Sequence, residues 1–489
     1  MDVRSNKLIQ ETVWRGAFFS GGWKSSEEVA PVKEPATGNA LTEVGIASGR
    51  DVAKAALSAK QAQREWERTD YGVRSSILVR AADLAEANSE ELIEWLVREA
   101  GSIRAKAEFE LSITVKALRL AASMTSQPQG HVLPSEFGRI SYCKRVPVGV
   151  VGVISPFNFP LYLSTRAVAP ALAVGNAVVL KPDHRTPVSG GFLLASLLIE
   201  AGLPADLLHV LPGHVETGTA LCVDPNISMI QFTGSTKTGR LVGELAGRHL
   251  KKLSLELGGK NTLIILDDAD LEVAASNASW GAYLHQGQIC MATGRILVHQ
   301  RIADEFINAL KKRAEQLPYG DPMSGAVALG PIIDANQLSR AQAIIDDAVS
   351  KGAKIVAGGT TDGPYMRPTV LVGVTPEMRA FNEEVFAPIA IVTTFKSDDE
   401  AAELANSGDY GLSAAVISQS IQRALRLGNE INVGMLHIND QTIADDVVNP
   451  IGGRGASGNG SRIGGPANWE EFCEWLWVTI RDEAPRYPM

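Results

Sequence analysis

The chain has 489 residues, 45% of them apolar and 21% charged, with a net charge of −9. That length predicts about three domains, or two large ones, with a core that needs no disulfide or metal staple. Cys143, Cys222, Cys290 and Cys473 stand singly and the eight histidines lack HxH or HxxxH spacing, which speaks against a disulfide scaffold, a zinc or iron–sulfur site, or any metal. Acidic balance and scattered Lys and Arg argue against nucleic-acid binding. The first residues hold no apolar run of signal type, and no stretch approaches the ~20 apolar residues of a membrane span, so a reducing cytoplasm is expected.

In chain order, Ala-, Leu-, Glu- and Lys-rich periodicity predicts helices from Asp51 to about Glu67 and from Tyr71 to about Ser126. Gln127 to Leu133 breaks the pattern with Pro and Gly. From Arg145 the texture becomes alternating strand and helix. VPVGVVGVI reads as a strand ending at Ser155-Pro156, with a helix from about Leu161. The strand Ala177 to Pro182 precedes a helix from about Val188 to Ala201. Leu207 to Gly213 and Ser228 to Ser235 read as two more strands, each followed by a helix. This spacing implies βαβ units and a parallel sheet, with ligands bound beyond the carboxyl ends of the strands. The informative residues are therefore Ser155 to Asn158, Lys181 to His184, Gly213, and Gly234 to Thr236. A second αβ unit starts with Lys252 to Asp270, with strands near Ile296–Val298, 354–356 and 390–394. Ile451 to Gly465, with seven glycines in fifteen residues, reads as a loop, and Trp475 to Ile480 as a terminal strand seeking a partner.

Several residues carry candidate chemistry. Gly234 to Gly239 follows a strand and opens a helix, so its N–H groups suit a phosphate; a plain helix cap reads equally from these residues. Cys290, in HQGQICMATGR, has polar neighbours unlike those of a core cysteine, although small buried cysteines are common. Glu256 lies in the apolar strand LSLELGG, where desolvation would make it a base; a paired strand Glu is the plainer alternative. Gly258-Gly259 beside it implies close approach of another group. Asn158, stiffened by two prolines in SPFNFP, suits an oxyanion donor or a turn cap. Lys181 ends a strand within reach of a ribose or phosphate, or simply faces solvent. Cys143, Cys222 and Cys473 read as structural.

Six segments occur in one order: PFNFP at 156–160, GNAVVLKP at 175–182, FTGSTxxG at 232–239, LELGGKN at 255–261, GQxC at 287–290 and EEVFAP at 383–388. Together they resemble the NAD(P)-dependent aldehyde dehydrogenase superfamily over nearly the whole chain. The resemblance implies an α/β fold. Its parts would be a Rossmann-like cofactor domain (1–126 and 146–253), an αβ catalytic domain (254–450) and a small β oligomerisation element (127–145 and 451–489) giving a homodimer or homotetramer. It makes Cys290 the nucleophile, Glu256 the activator of the hydrolytic water, and Asn158 with the Cys290 backbone N–H the holder of the oxyanion. The cofactor, NAD with NADP possible, would meet Pro156, Lys181, Gly213, Gly234, Ser235, Thr236, Leu257, Glu384 and Phe386. HLKKLSLELGG, LHQGQICMATGR and the C-terminal segments look most like benzaldehyde and vanillin dehydrogenases, with a pocket of Tyr162, Arg166, Leu284, Ile289, Met291 and Ile451 suited to an aromatic ring.

Three departures stand out. His184 replaces the glutamate that holds both ribose hydroxyls in many members, Arg462 replaces a second acid, and EEVFAP replaces EEIFGP. Arg166 also leaves open a semialdehyde substrate, whose carboxylate it would bind, or pairing with a structural acid. A non-catalytic scaffold keeping only the fold is disfavoured by intact Cys290, Glu256 and Asn158, and coenzyme-A-dependent acylation by Glu256.

Overall fold

The computed structural model describes Leu8 and residues 10–488. Its centre is a seven-stranded sheet whose five parallel strands run in spatial order Lys252–Glu256, Met229–Thr233, Val150–Ile154, Ala177–Lys181 and Leu208–Val210. The chain starts in the middle at Val150–Ile154, winds one way, then returns to wind the other. The order therefore reverses between Val150–Ile154 and Met229–Thr233, and at such a reversal the crossover helices leave a crevice beyond the strand ends. All five residues of Ala177–Lys181 and the first four of Val150–Ile154 are buried, as strands covered by helices on both faces require.

Ala17–Ser20 extends the far edge of this sheet antiparallel to Leu208–Val210, Trp23–Ser25 pairs antiparallel to Ala17–Ser20, and Val29–Lys33 pairs with Ala40–Gly45. These strands precede the helical stretch with which the predicted elements begin. That stretch is broken into Gly49–Trp66, Tyr71–Ala87, Ser89–Ala100 and Arg104–Met124. Gly101 makes one break by ending its helix in the left-handed conformation, at φ 65°.

A second seven-stranded sheet holds Asn261–Ile265, Thr293–His299 and Ile389–Phe395 at its core, parallel to one another, with Ser413–Ile417 and Met435–Ile438 on one flank. The boundary between the sheets differs from the expected 253/254. Lys252–Glu256 belongs wholly to the first sheet, because its backbone pairs with Met229–Thr233, and the crossing falls at Leu257 to Lys260.

A third sheet joins Gly130–Val132, Arg139–Pro147 and Cys473–Arg481. The expected single strand VPVGVVGVI is thus two. The chain leaves the third sheet at Pro147, turns through Gly149 at φ 114°, and enters the first sheet at Val150. Within 451–489, only Cys473–Arg481 is a strand of the third sheet. Residues 451–463 pack beside the first sheet: Gly458 bridges Glu256 and Ile451 bridges Ile463. Among the described residues, no helix is long and apolar enough to cross a membrane.

Candidate active site

Two cavities meet where the first sheet's carboxyl ends face the amino ends of Asn261–Ile265 and Thr293–His299. The larger, about 560 Å³, is mainly apolar; the smaller, about 340 Å³, is a groove along the crevice. Asn158, Glu256 and Cys290 line both.

Each has a clear local origin. Glu256 is the last residue of its strand, so the backbone delivers its carboxylate at the sheet's end. Beyond it, a Cβ on Gly258 would stand 2.5 Å from Glu384 Oε2, and one on Gly259 2.7 Å from the Cys290 carbonyl oxygen. The Gly-Gly pair is thus the close approach its composition implies. Cys290 lies just before Thr293–His299. Asn261 Nδ2 donates to the carbonyls of both Cys290 and Ala292 at 2.8 Å, and Thr442 Oγ1 donates to Met291 O at 2.8 Å. Upstream, His285, Gln286 and Gly287 are all left-handed, at φ 49°, 57° and 67°. Two of these are not glycine, a costly turn that its surroundings must hold. Gln286 Nε2 does so by donating to Gly101 O and Pro331 O at 3.0 and 2.9 Å.

Electrostatics divide the two reactive groups. Burial, reinforced by Glu384, Glu256 and Asp445, pushes the Cys290 thiol up to about 12, so at neutral pH it is protonated and needs a base. Burial lifts Glu256 to about 8 against the opposing charges of Arg166 and Arg462. Its Oε1 is buried without a hydrogen-bond partner, an open acceptor position in the wall. Asn158 is buried, and its Nδ2 donates to Gln288 O at 2.9 Å, two residues before the cysteine.

All six expected pocket residues, Tyr162, Arg166, Leu284, Ile289, Met291 and Ile451, line the larger cavity. Phe159 of the PFNFP segment joins them, with Phe109, Ile113 and Trp280, which in the sequence are ordinary apolar helix positions. Of the two readings of Arg166, the geometry favours pairing with a structural acid over binding a substrate carboxylate. Arg166 Nη1 pairs with Asp445 Oδ2 at 2.9 Å and donates to Tyr162 OH at 3.0 Å, while Nη2 donates to Ile463 O at 2.9 Å. The guanidinium is committed to an internal acid and is 7% exposed.

Along the groove stand Pro156, Lys181, Gly234, Ser235, Leu257, Glu384 and Phe386. Lys181 Nζ makes one long contact, 3.4 Å to Pro182 O, and its other hydrogens are free for a sugar. Ser235 caps the helix Thr236–Arg248, its Oγ accepting from Thr238 N–H at 3.3 Å, which turns that helix's positive end toward the groove. Glu384 accepts from Gly259 N–H at 3.2 Å, and burial raises it to about 7. Phe386 meets Phe157 edge-on at 5.8 Å. Thr236 and Gly213 stand off this lining: Thr236 Oγ1 donates to Ala456 O at 2.8 Å, and Gly213 packs on Thr217. His184, 52% exposed, lies 3.5 Å from Asp183 and 5.6 Å from the His214 ring. Arg462 Nη1 is bound to the Gly453 and Ser461 carbonyls, at 3.2 and 2.7 Å. A free ammonium beside a helix N-terminus fits a dinucleotide's ribose and pyrophosphate.

Comparison with known proteins agrees with this geometry. Residues 23–478 match the aldehyde dehydrogenase family. Vanillin dehydrogenase of an Amycolatopsis species is 51% identical over 98% of this chain and 99% of its own. The benzaldehyde dehydrogenase [NAD(+)] of Pseudomonas putida is 46% identical over 98% and 99%. A crystal structure of a salicylaldehyde dehydrogenase from Pseudomonas putida G7, complexed with salicylaldehyde, superposes with a TM-score of 0.94 at 37% identity, over 97% of this chain and 99% of that one. From Trp23 to Val478, the chain belongs to the aldehyde dehydrogenase family.

Proposed function

We propose that this protein oxidises an aromatic aldehyde to its carboxylic acid with NAD, using Cys290, Glu256 and Asn158. The observation that carries the reading is their meeting at one junction between an apolar cavity and a groove suited to a dinucleotide. The names of the relatives support the aromatic class and NAD.

Glu256 takes the Cys290 thiol proton and passes it to solvent, while Cys290 Sγ attacks the aldehyde carbon and forms a thiohemiacetal. Its oxygen gains negative charge, held by Asn158 Nδ2 and the Cys290 backbone N–H, donors already fixed before the reaction. A nicotinamide held in the groove would supply the acceptor for the hydride that leaves this carbon. The product on Cys290 is a thioester. Glu256 then takes a proton from water, whose oxygen attacks the thioester carbon and releases the acid and the thiol. A base titrating near 8 is matched to that task at mildly alkaline pH. Lys181 and Ser235 would hold the cofactor's ribose and pyrophosphate, and Glu384 with Phe386 its nicotinamide end. The ring lies among Phe159, Leu284, Ile289, Met291 and Ile451, where an apolar wall binds a flat apolar face.

The strand Cys473–Arg481 pairs on one side only, with Arg139–Pro147, and leaves Trp475, Leu476, Trp477 and Ile480 exposed. An unpaired edge with this apolar content supports a homodimer or homotetramer built through the third sheet.

The direct test is the initial rate of NADH formation from benzaldehyde, beside succinic semialdehyde. Turnover of benzaldehyde that disappears in Cys290→Ser supports the reading. Intact, NAD-binding protein that oxidises no aromatic aldehyde rejects it.

A further inference from the structure

The helix Arg104–Met124 packs against Pro160–Ala173. At their contact, Lys106 and Glu110 lie one turn apart, with both side chains wholly removed from water and Nζ 2.5 Å from Oε2. Desolvating such a pair costs several kcal/mol per ion, and apolar residues of like volume often serve stability as well or better. The pair's remaining hydrogen bonds give it another use.

Lys106 Nζ donates to the main-chain oxygen of Asn158 at 2.6 Å and sits 4.0 Å from the Phe159 ring centroid. Glu110 Oε1 accepts from the N–H groups of Leu161 and Tyr162, at 2.9 and 3.2 Å. That helix cannot cap itself: Phe159, at its N-cap, has no side-chain acceptor, and Pro160 has no N–H. The two charges therefore hold residues 158 to 162 from outside, the cation on the carbonyl and the anion on the helix N-terminus. Asn158 Nδ2 extends the chain to Gln288 O, two residues before the cysteine. An unbroken run of hydrogen bonds leads from Glu110 through Lys106 and Asn158 to the Cys290 loop.

We propose that Lys106 and Glu110 are positioning residues, which fix the Asn158 carboxamide against Cys290 and so set how well the oxyanion is held. This rests on the reading of Asn158 as oxyanion donor. A pair that only glued two helices together would raise stability and leave the chemical step alone. A clamp on the oxyanion donor acts on kcat, and acts through Asn158.

The test is a mutant cycle with benzaldehyde and NAD. Lys106→Met, Glu110→Gln and the neutral double variant are each made with and without Asn158→Ala. The double variant leaves no unpaired buried charge, so it serves if Lys106→Met alone loses the fold. Melting temperature and NAD binding report the fold separately from turnover. We expect kcat to fall about 10- to 100-fold in the double variant, with the aldehyde KM within about twofold, since small misplacements of a reacting group cost on that scale. In the Asn158→Ala background the same change should cost less than about threefold, because residues acting through one another are not additive. An equal loss in both backgrounds, or a folded double variant with unchanged kcat, overturns the proposal. If Asn158→Ala itself leaves kcat intact, the oxyanion reading falls and takes the clamp with it. If Asn158→Ala lowers kcat and the double variant does not, the clamp alone falls.

Discussion

On the aldehyde side of Cys290, positive charge is already spoken for: Arg166 is locked to Asp445 and Tyr162, and Lys106 to Glu110. On the cofactor side it is left open. Lys181 has one long contact, and the helix behind Ser235 points its N–H groups at the groove. The first arrangement presents a ring with no unpaired cation to satisfy. The second presents a polyanion with donors that have not yet been used. An enzyme that must bind a neutral aromatic aldehyde beside a dinucleotide needs this contrast, because an unpaired buried charge would select carboxylated substrates instead.

The largest effect falls where the two sides join. Cys290→Ser should lower the rate of NADH formation at least about 10⁴-fold, on the scale seen when a nucleophile is removed, while the melting temperature stays near that of the parent. Glu256→Gln comes next, at about 10²- to 10³-fold in kcat. It carries a pH signature. A base works in its ionised form, so hydrolysis should rise as pH passes upward through about 8 and level off above. The Gln variant should be flat across that window, and thioester should accumulate in rapid-quench samples.

Asp445→Ala tests the paired side directly. It leaves Arg166 as an uncompensated cation in a site where Arg166 is 7% and Asp445 14% exposed. Breaking a buried pair in this way costs roughly 3–5 kcal/mol of stability, measurable by urea denaturation. The freed guanidinium should also move the kcat/KM ratio toward succinic semialdehyde and away from benzaldehyde. An unchanged ratio would mean that the pairing does not decide substrate charge. Lys181→Ala tests the open side: the KM for NAD should rise about 10-fold, the scale of one hydrogen bond from a charged donor, with kcat little changed.

The two sides also differed in how far the sequence exposed them. The groove was legible because much of its lining follows each strand by a short step, as at Ser155 to Asn158 and at Gly234 and Ser235, whereas Thr236 and Gly213 fall outside it. The crevice geometry then does the rest. Glu256 was legible as an acid inside an apolar strand. The aldehyde side was not read so fully. Lys106 and Glu110, spaced four apart on a helix, have the pattern of a solvent-exposed ion pair, and only packing against Pro160–Ala173 buries them. Asp445 sits in a loop with no periodicity, 279 residues beyond the arginine it neutralises. Of the strands before Asp51, Ala17–Ser20 and Trp23–Ser25 are only four and three residues long and join the first sheet at its edge, too short for a periodic pattern. The break at Pro147 was hidden because valines lie on both sides of it in VPVGVVGVI.

The smallest effect concerns the cofactor's 2′ position, at the open end of the groove. His184 is neutral at pH 7, because burial and the cations of Arg185 and Lys181 lower it further than Asp183 raises it. The chain therefore offers no carboxylate three residues after Lys181, and the neighbouring Asp183 is already paired with Arg185 at 2.8 Å. His184→Glu supplies one. At the few-ångström separations of a ribose site, a like-charge pair screened by solvent costs about 1–2 kcal/mol, roughly a tenfold effect. The kcat/KM for NADP should fall by about that factor, and the one for NAD should hold or rise as the new carboxylate accepts from the ribose hydroxyls. Equal losses with both cofactors would place residue 184 away from the 2′ position and leave the openness of this end to Lys181 and Ser235 alone.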